Sequence, residues 1–310
     1  MQGIDISRAF FEEYGKPMLE NEFGEYADRI ATGMVGHGSE CFGFDDEISR
    51  DHDFAPAFCL WLTDEDERLF GFKLFRAYSK LPREFMGLKT AQKSLMGGNE
   101  FGVHTISDFY SKYTGRSGAP EHWRDWLFTP SHYFAEATNG EVFCDPLGRF
   151  TEIREQIKNG MPEDVRLKKI ASCALHMAQS GQYNYKRCIA HGERAAARLA
   201  LDEFVRNAAE LVFLLERKHA PYYKWIFRAM RGLERLGNSA DALENLLLLS
   251  PDETLQIELG IEAFCAEIIK EFKLQGITEA GCEYLESHAY SINDKISDNE
   301  IRNLHIFYKN

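Results

Sequence analysis

The chain has 310 residues, of which 44% are hydrophobic and 13% aromatic. This is the make-up of a folded globular protein long enough for two packed units, and it excludes a disordered chain. With 49 acidic against 36 basic residues the formal net charge is -13, which argues against a surface built for long nucleic acid, because phosphate binding rests on clustered Lys and Arg.

Residues 8–32 read as a helix: Phe10, Phe11, Tyr14, Met18 and Leu19 recur at helical spacing, with an interruption expected at Gly15-Lys16-Pro17. A short apolar run over 32–36 ends in glycine and is a first strand candidate. A second strand is expected over 53–62, rich in Phe, Leu and Trp, followed by a helix over 65–80 and a third strand over 101–106. After Pro162 the pattern turns helical, with helices expected over 164–181, 193–219, 224–236, 240–249, 251–274 and 279–287. Ala220-Pro221 ends the second of these. The expected architecture is α+β, a mixed sheet with flanking helices over residues 1–160 and an all-helical domain over 161–310. The seven cysteines are scattered and no CxxC occurs, so reduced, mostly buried thiols are expected. The N-terminal stretch is too charged for a signal peptide, and no apolar run approaches the ~20 residues that span a bilayer. A soluble, cytoplasmic protein without a membrane partner is the expectation.

The chemistry concentrates in 34–62, where Gly38-Ser39 is followed by eleven residues and then Asp51-His52-Asp53. Glycine lets the backbone approach a phosphate closely, and the Ser39 hydroxyl and adjacent N–H groups donate to its oxygens. On a strand with side-chain period two, Asp51 and Asp53 share a face. Adjacent carboxylates repel unless a cation sits between them, and hard oxygen ligands suit Mg²⁺ or Mn²⁺.

This pattern, a hydrophobic run, Gly-Ser, a spacer and Asp-x-Asp, resembles the nucleotidyltransferase motif of the DNA polymerase β superfamily. The blocks GFDDEISRDHDFAP, GEVFCDPLGRFTEIR and LLERKHAPYYKW are similar to an uncharacterised bacterial family known as a domain of unknown function and grouped with those enzymes. The resemblance implies an N-terminal nucleotidyltransferase-like domain and a C-terminal helical domain. It implies transfer of a nucleoside monophosphate from an NTP, with ATP the first candidate, to a hydroxyl of a small molecule, protein or RNA end. Asp51 and Asp53 would hold the metal, and Gly38 and Ser39 would seat phosphates. The superfamily's third carboxylate has no obvious counterpart: the strand over 101–106 carries Gly102 and His104, so His104 is the candidate base. Glu100 and Asp108 flank it, and Glu141 and Asp145 are next in line.

Arg50 and Lys224 are candidate cations for a triphosphate. Lys224 belongs to a cluster with Glu216, Arg217, Tyr222, Tyr223 and Trp225 that reads equally as a pocket or as a helix junction sealed by aromatics. Two other readings stay open. One is a nucleotide-binding or interaction module without turnover. The other is a metal-dependent phosphohydrolase, since His52-Asp53 also spells the HD dyad.

Overall fold

The computed structural model describes residues 2–47, 55–90 and 101–309. The chain divides into two compact units, Met1–Glu121 with Tyr133–Gly160, and His122–His132 with Met161–Asn310.

In the first unit α1 (Gly3–Phe10) runs through a widened π-turn (Phe11–Gly15) into α2 (Lys16–Glu22). The break expected at Gly15-Lys16-Pro17 does not occur, because the widened turn just before Pro17 absorbs the disturbance that proline brings. A Cβ on Gly15 would lie 2.6 Å from the Phe58 ring, so glycine lets this helix rest on the sheet. The helix ends at Glu22 rather than near 32, and β1 (Ala31–Met34) follows a short irregular segment anchored by buried Phe23. β2 (Cys59–Leu62) leads into α3 (Asp64–Asp66), a second widened turn (Glu67–Gly71) and α4 (Phe72–Tyr78). The hairpin of β3 (Glu84–Phe85) and β4 (Leu88–Lys89), which the sequence pattern did not suggest, turns on Met86 and Gly87, both at positive φ. β5 (Gly102–Thr105) and α5 (Ile106–Thr114) follow. The chain then passes through α6 (Trp123–Phe128), which belongs to the second unit, before α7 (Ser131–Thr138), β6 (Glu141–Cys144) and α8 (Arg149–Asn159).

The sheet order is β5-β2-β1-β6, with β1 antiparallel to β2 and β6, and β2 parallel to β5. Side chains alternate across β2 and both faces are covered. Phe58, Leu60 and Leu62 join Ile6, Phe10, Phe70 and Leu74 beneath the α1–α2 and α4 layer. Trp61 points the other way, stacked on Phe150 of α8 at 3.9 Å and edge-on to Phe109 of α5. The unit is a mixed sheet between two helical layers.

The second unit is helical among its described residues. Its long helices are α9 (Glu163–Met177), α11 (Arg194–Leu215) and α14 (Thr254–Leu274). Around them lie α10 (Lys186–Ala190), α12 (Tyr223–Arg231), α13 (Ser239–Leu248), α15 (Leu285–Asp294) and α16 (Asn299–Asn303). The helix expected over 279–287 begins only at Leu285, because Thr278 and the Cys282 carbonyl both bond His288 and hold the preceding segment as a turn. α9 is buried nearly all round, including Arg166, Lys168 and Lys169. Each charge is met: Arg166 by Glu163, Lys168 by Asn293 and the Leu304 carbonyl, Lys169 by the Thr129 carbonyl. Burial pulls both lysines down to about 8. Among the described residues no helix is long and apolar enough to cross a membrane.

Replacing Trp61 by Ala removes the side chain that joins the sheet to α5 and α8. The expected cost is about 3–5 kcal/mol, read as a lowered urea midpoint, whereas Trp61→Phe should retain most of the stability.

Candidate functional site

β1 leaves the sheet at Met34, and the chain then turns through Val35, Gly36, His37, Gly38 and Ser39 into a short 3₁₀ turn (Glu40–Phe42). Two glycines permit this path, with φ of +129° at Gly36 and +121° at Gly38, values that L side chains rarely adopt. The turn is clasped from outside. The Gly36 N–H donates to Asn139 Oδ1 at 2.9 Å, and Asn139 Nδ2 donates back to the Gly36 carbonyl at 2.7 Å. Asn139-Gly140 is in turn held by α8, since Arg154 Nη2 donates to both its carbonyls, at 2.8 and 3.1 Å. Gly140 itself admits no side chain, because a Cβ there would lie 2.0 Å from the Met34 carbonyl oxygen.

Carboxylates surround the turn. Glu40 is buried and folds back beneath Gly38, where a Cβ would sit 2.7 Å from its oxygens. Ser39 Oγ lies 3.4 Å from Glu40 Oε2, and His37 Nδ1 lies 3.4 Å from Oε1 of the buried Glu136 on α7. Thus glycine at 38 answers to the backbone angle and to Glu40. A phosphate seated here would need compensating positive charge, which a hard cation held by oxygen ligands would supply.

Sheet pairing defines what shares this edge. Gly33 pairs with Cys59 and Met34 with Glu141, so the turn lies beside the starts of β2 and β6. Arg50, Asp51, Asp53 and Glu100 lie outside the described residues. The chain enters β2 through residues 55–58, at the same edge as the turn. Glu141 is at this edge too, in an ion pair with Arg8. His104 is not: it pairs with Trp61, three positions further along the sheet, about 10 Å at the usual strand rise. Asp108 follows β5 at that far end. Asp145 accepts from the Thr151 N–H at the start of α8. Lys224 is in the second unit, exposed, with its ammonium 4.9 Å from the Trp225 ring centroid. Among the described residues no group of three or more His, Cys, Asp or Glu forms a metal cluster.

Sequence reasoning passed over Asn139, Arg154, Glu40 and Glu136. Asn139-Gly140 carried a turn signal, but its partner is 103 residues away in sequence, beyond any local pattern.

Residues 126–226 match the model of a family described as a domain of unknown function (DUF4037), in line with the resemblance expected from the sequence blocks. No curated protein matches the chain. Among solved structures it is similar to the crystal structure of a nucleotidyltransferase-like protein from Exiguobacterium sibiricum 255-15. The two share 12% identity at a TM-score of 0.36, over 92% of this chain and 90% of that one.

Asn139→Ala should cost about 1–3 kcal/mol, because both Gly36 backbone groups lose their partner inside the protein. It should also speed amide exchange over 36–39. Asn139→Asp, which keeps the acceptor and loses the donor, should fall between Ala and the parent in the same exchange measurement.

Proposed function

We propose that this chain is a metal-dependent nucleotidyltransferase. In this reading it moves a nucleoside monophosphate from an NTP, ATP first among candidates, to a hydroxyl of a small molecule, protein or RNA end. The observation that carries the reading is the antiparallel pairing of β1 with β2. It brings the Gly36–Ser39 turn to the sheet edge at which the chain enters β2, after the Asp51-His52-Asp53 segment. In this reading Gly38 and Ser39 seat the β and γ phosphates and Asp51 and Asp53 hold Mg²⁺ or Mn²⁺. The donor chemistry fits: Ser39 hydroxyl and Glu40 carboxylate at the turn, with Asp51 and Asp53, are hard oxygens. Bound there, the cation would neutralise phosphate charge and align attacking and leaving oxygens. Ser39 and the backbone N–H groups of the turn orient the phosphates, and Asn139 with Arg154 holds the turn rigid while they do so. Arg50 remains a candidate cation for the triphosphate.

The acceptor proton needs a base at the same edge. Glu141, opposite Met34 and paired with Arg8, is the described carboxylate that the sheet register puts there. A second reading, nucleotide binding without turnover, is favoured by β5, which offers Gly102 rather than a carboxylate opposite Cys59.

Incubation with Mg²⁺ and each labelled NTP separates the readings. Transfer releases pyrophosphate and labels an acceptor, and binding alone leaves the NTP intact. A hydrolase would instead release inorganic phosphate or nucleoside. Mg²⁺ at about a hundred times its Kd should stabilise the parent by about 2.7 kcal/mol, seen as a raised melting temperature. The double variant Asp51→Asn, Asp53→Asn should lose that shift and any transfer while remaining as stable as the metal-free parent. A double variant that keeps the Mg²⁺ shift or the transfer would overturn the assignment. Glu141→Gln should abolish transfer with nucleotide affinity kept.

A further inference from the structure

The cluster Glu216, Arg217, Tyr222, Tyr223, Lys224 and Trp225, legible in the sequence as a pocket or as a sealed helix junction, lies wholly in the second unit. α11 ends at Leu215 and α12 begins at Tyr223, and the loop between them is pinned at several points. Arg217 holds a positive φ of 55°, uncommon for a residue other than glycine, and its guanidinium donates to Glu163 at 2.8 Å. The His219 ring lies parallel to Trp126 of α6 at 6.5 Å, and the Ala220 N–H donates to Ser131 Oγ at 2.8 Å. Ala220 and Pro221 are buried. The next two residues are not: Tyr222 is 43% exposed and Tyr223 74%. Their ring centroids are 4.4 Å apart, and the His132 ring is edge-on to Tyr222 at 5.5 Å. A junction sealed by aromatics would bury this pair, whereas a firmly held loop presents it to solvent.

Charge around the rings runs against that of the chain. Residues 217–233 hold five Lys or Arg and no Asp or Glu, in a chain where 49 of 310 residues are acidic. The carboxylates that border the stretch are matched within the protein. Glu163 meets Arg166 and Arg217, Glu216 accepts from the N–H groups of Arg235 and Leu236, and Asp241 and Glu244 meet Arg231. Lys218 and Lys224 are exposed, one before and one after the tyrosines in sequence, and the Lys224 ammonium lies 4.9 Å from the Trp225 ring centroid. No acidic residue stands in the first turn of α12. Adjacent open rings suit the faces of unpaired bases, and lysines beside them suit the phosphates that join those bases. An acidic peptide would engage the lysines and leave the rings unused. A duplex would offer phosphates but no open base face.

We propose that the tyrosine pair and its lysines bind a short single strand of nucleic acid. One base stacks on Tyr223 and the next against Tyr222, with Lys218 and Lys224 on the phosphates. Two rings and two lysines set the footprint at about two or three nucleotides, in keeping with a net charge that argues against a surface for long nucleic acid. The site uses no residue of the Gly-Ser turn and needs no metal.

Fluorescence anisotropy of the whole chain with labelled hexa-adenylate RNA and with its DNA counterpart, both in EDTA, tests this. Saturable binding of at least one strand at one site per chain is expected, weakened several-fold as salt rises from about 0.05 to about 0.2 M. Tyr223→Ala should weaken it at least about fivefold, and Tyr223→Phe, which keeps the ring, should bind as the parent does. The double variant Lys218→Gln, Lys224→Gln should weaken it several-fold and flatten the salt dependence. These side chains are exposed, so melting temperatures should stay at the parent value. The proposal is overturned by absence of saturable binding for both strands, by unchanged affinity in Tyr223→Ala, or by equally tight binding of a blunt-ended hairpin duplex. Equal affinity for a labelled hexaglutamate peptide would overturn it in favour of an acidic protein partner. Because the titration is run without Mg²⁺, a missing Mg²⁺-dependent melting shift would count against the nucleotidyltransferase reading and leave this binding as it is.

Discussion

Five consecutive residues, Phe58 to Leu62, are wholly excluded from solvent, and the first unit is arranged around that fact. A strand that shows water neither face needs an apolar layer on each side. The α1–α2 helix and α4 supply one layer, α5 and α8 the other. The close fit reaches the backbone, since the helix over β2 requires glycine at 15 to lie against Phe58.

The same strand makes the two ends of the sheet chemically different. β1 runs against it and β5 runs with it. One end therefore gathers the exit of β1 and the starts of β2, β5 and β6, and the other gathers two helix starts. The first end is rich in backbone turns held by side chains: Asn139 clasps Gly36, Arg154 clasps Asn139-Gly140, and Glu40 fills the underside of Gly38. The second is walled by carboxylates and exposed aromatic rings. The two ends thus differ in chemical character because of one arrangement of strands.

In the helical unit the demanding feature is a central helix with charges on its buried faces. Lysines in such a place lose hydration, which burial registers as lowered proton affinity, and stay tolerable because carbonyls and amides meet them. Near α9, Lys309 sits between Asn207 and Glu210, and its neighbouring anionic groups outweigh burial and raise its pKa. These contacts tie α9, α11 and the segment after α16 into one polar network inside an apolar bundle.

Local patterns determined a good deal. Helical spacing of Phe10, Phe11, Met18 and Leu19 marked a buried face. The apolar run before Asp64 marked β2, and the long amphipathic segments after Pro162 marked α9, α11 and α14, because each of these signals is written within one element. The Gly-Ser turn after a short strand was legible for the same reason. What the sequence left open is what lies beside what. β6 is short and has no buried residue, so only its pairing with β1 makes it a strand. His104 was readable as a strand residue, yet the parallel register of β5 on β2 decides which end of the sheet it occupies. Asn139, Arg154 and Glu136 owe their place at the Gly-Ser turn to chain segments about a hundred residues apart meeting across the sheet. Periodicity reports a residue's own environment within its element. Which element becomes its neighbour is settled only when both faces of β2 have been covered.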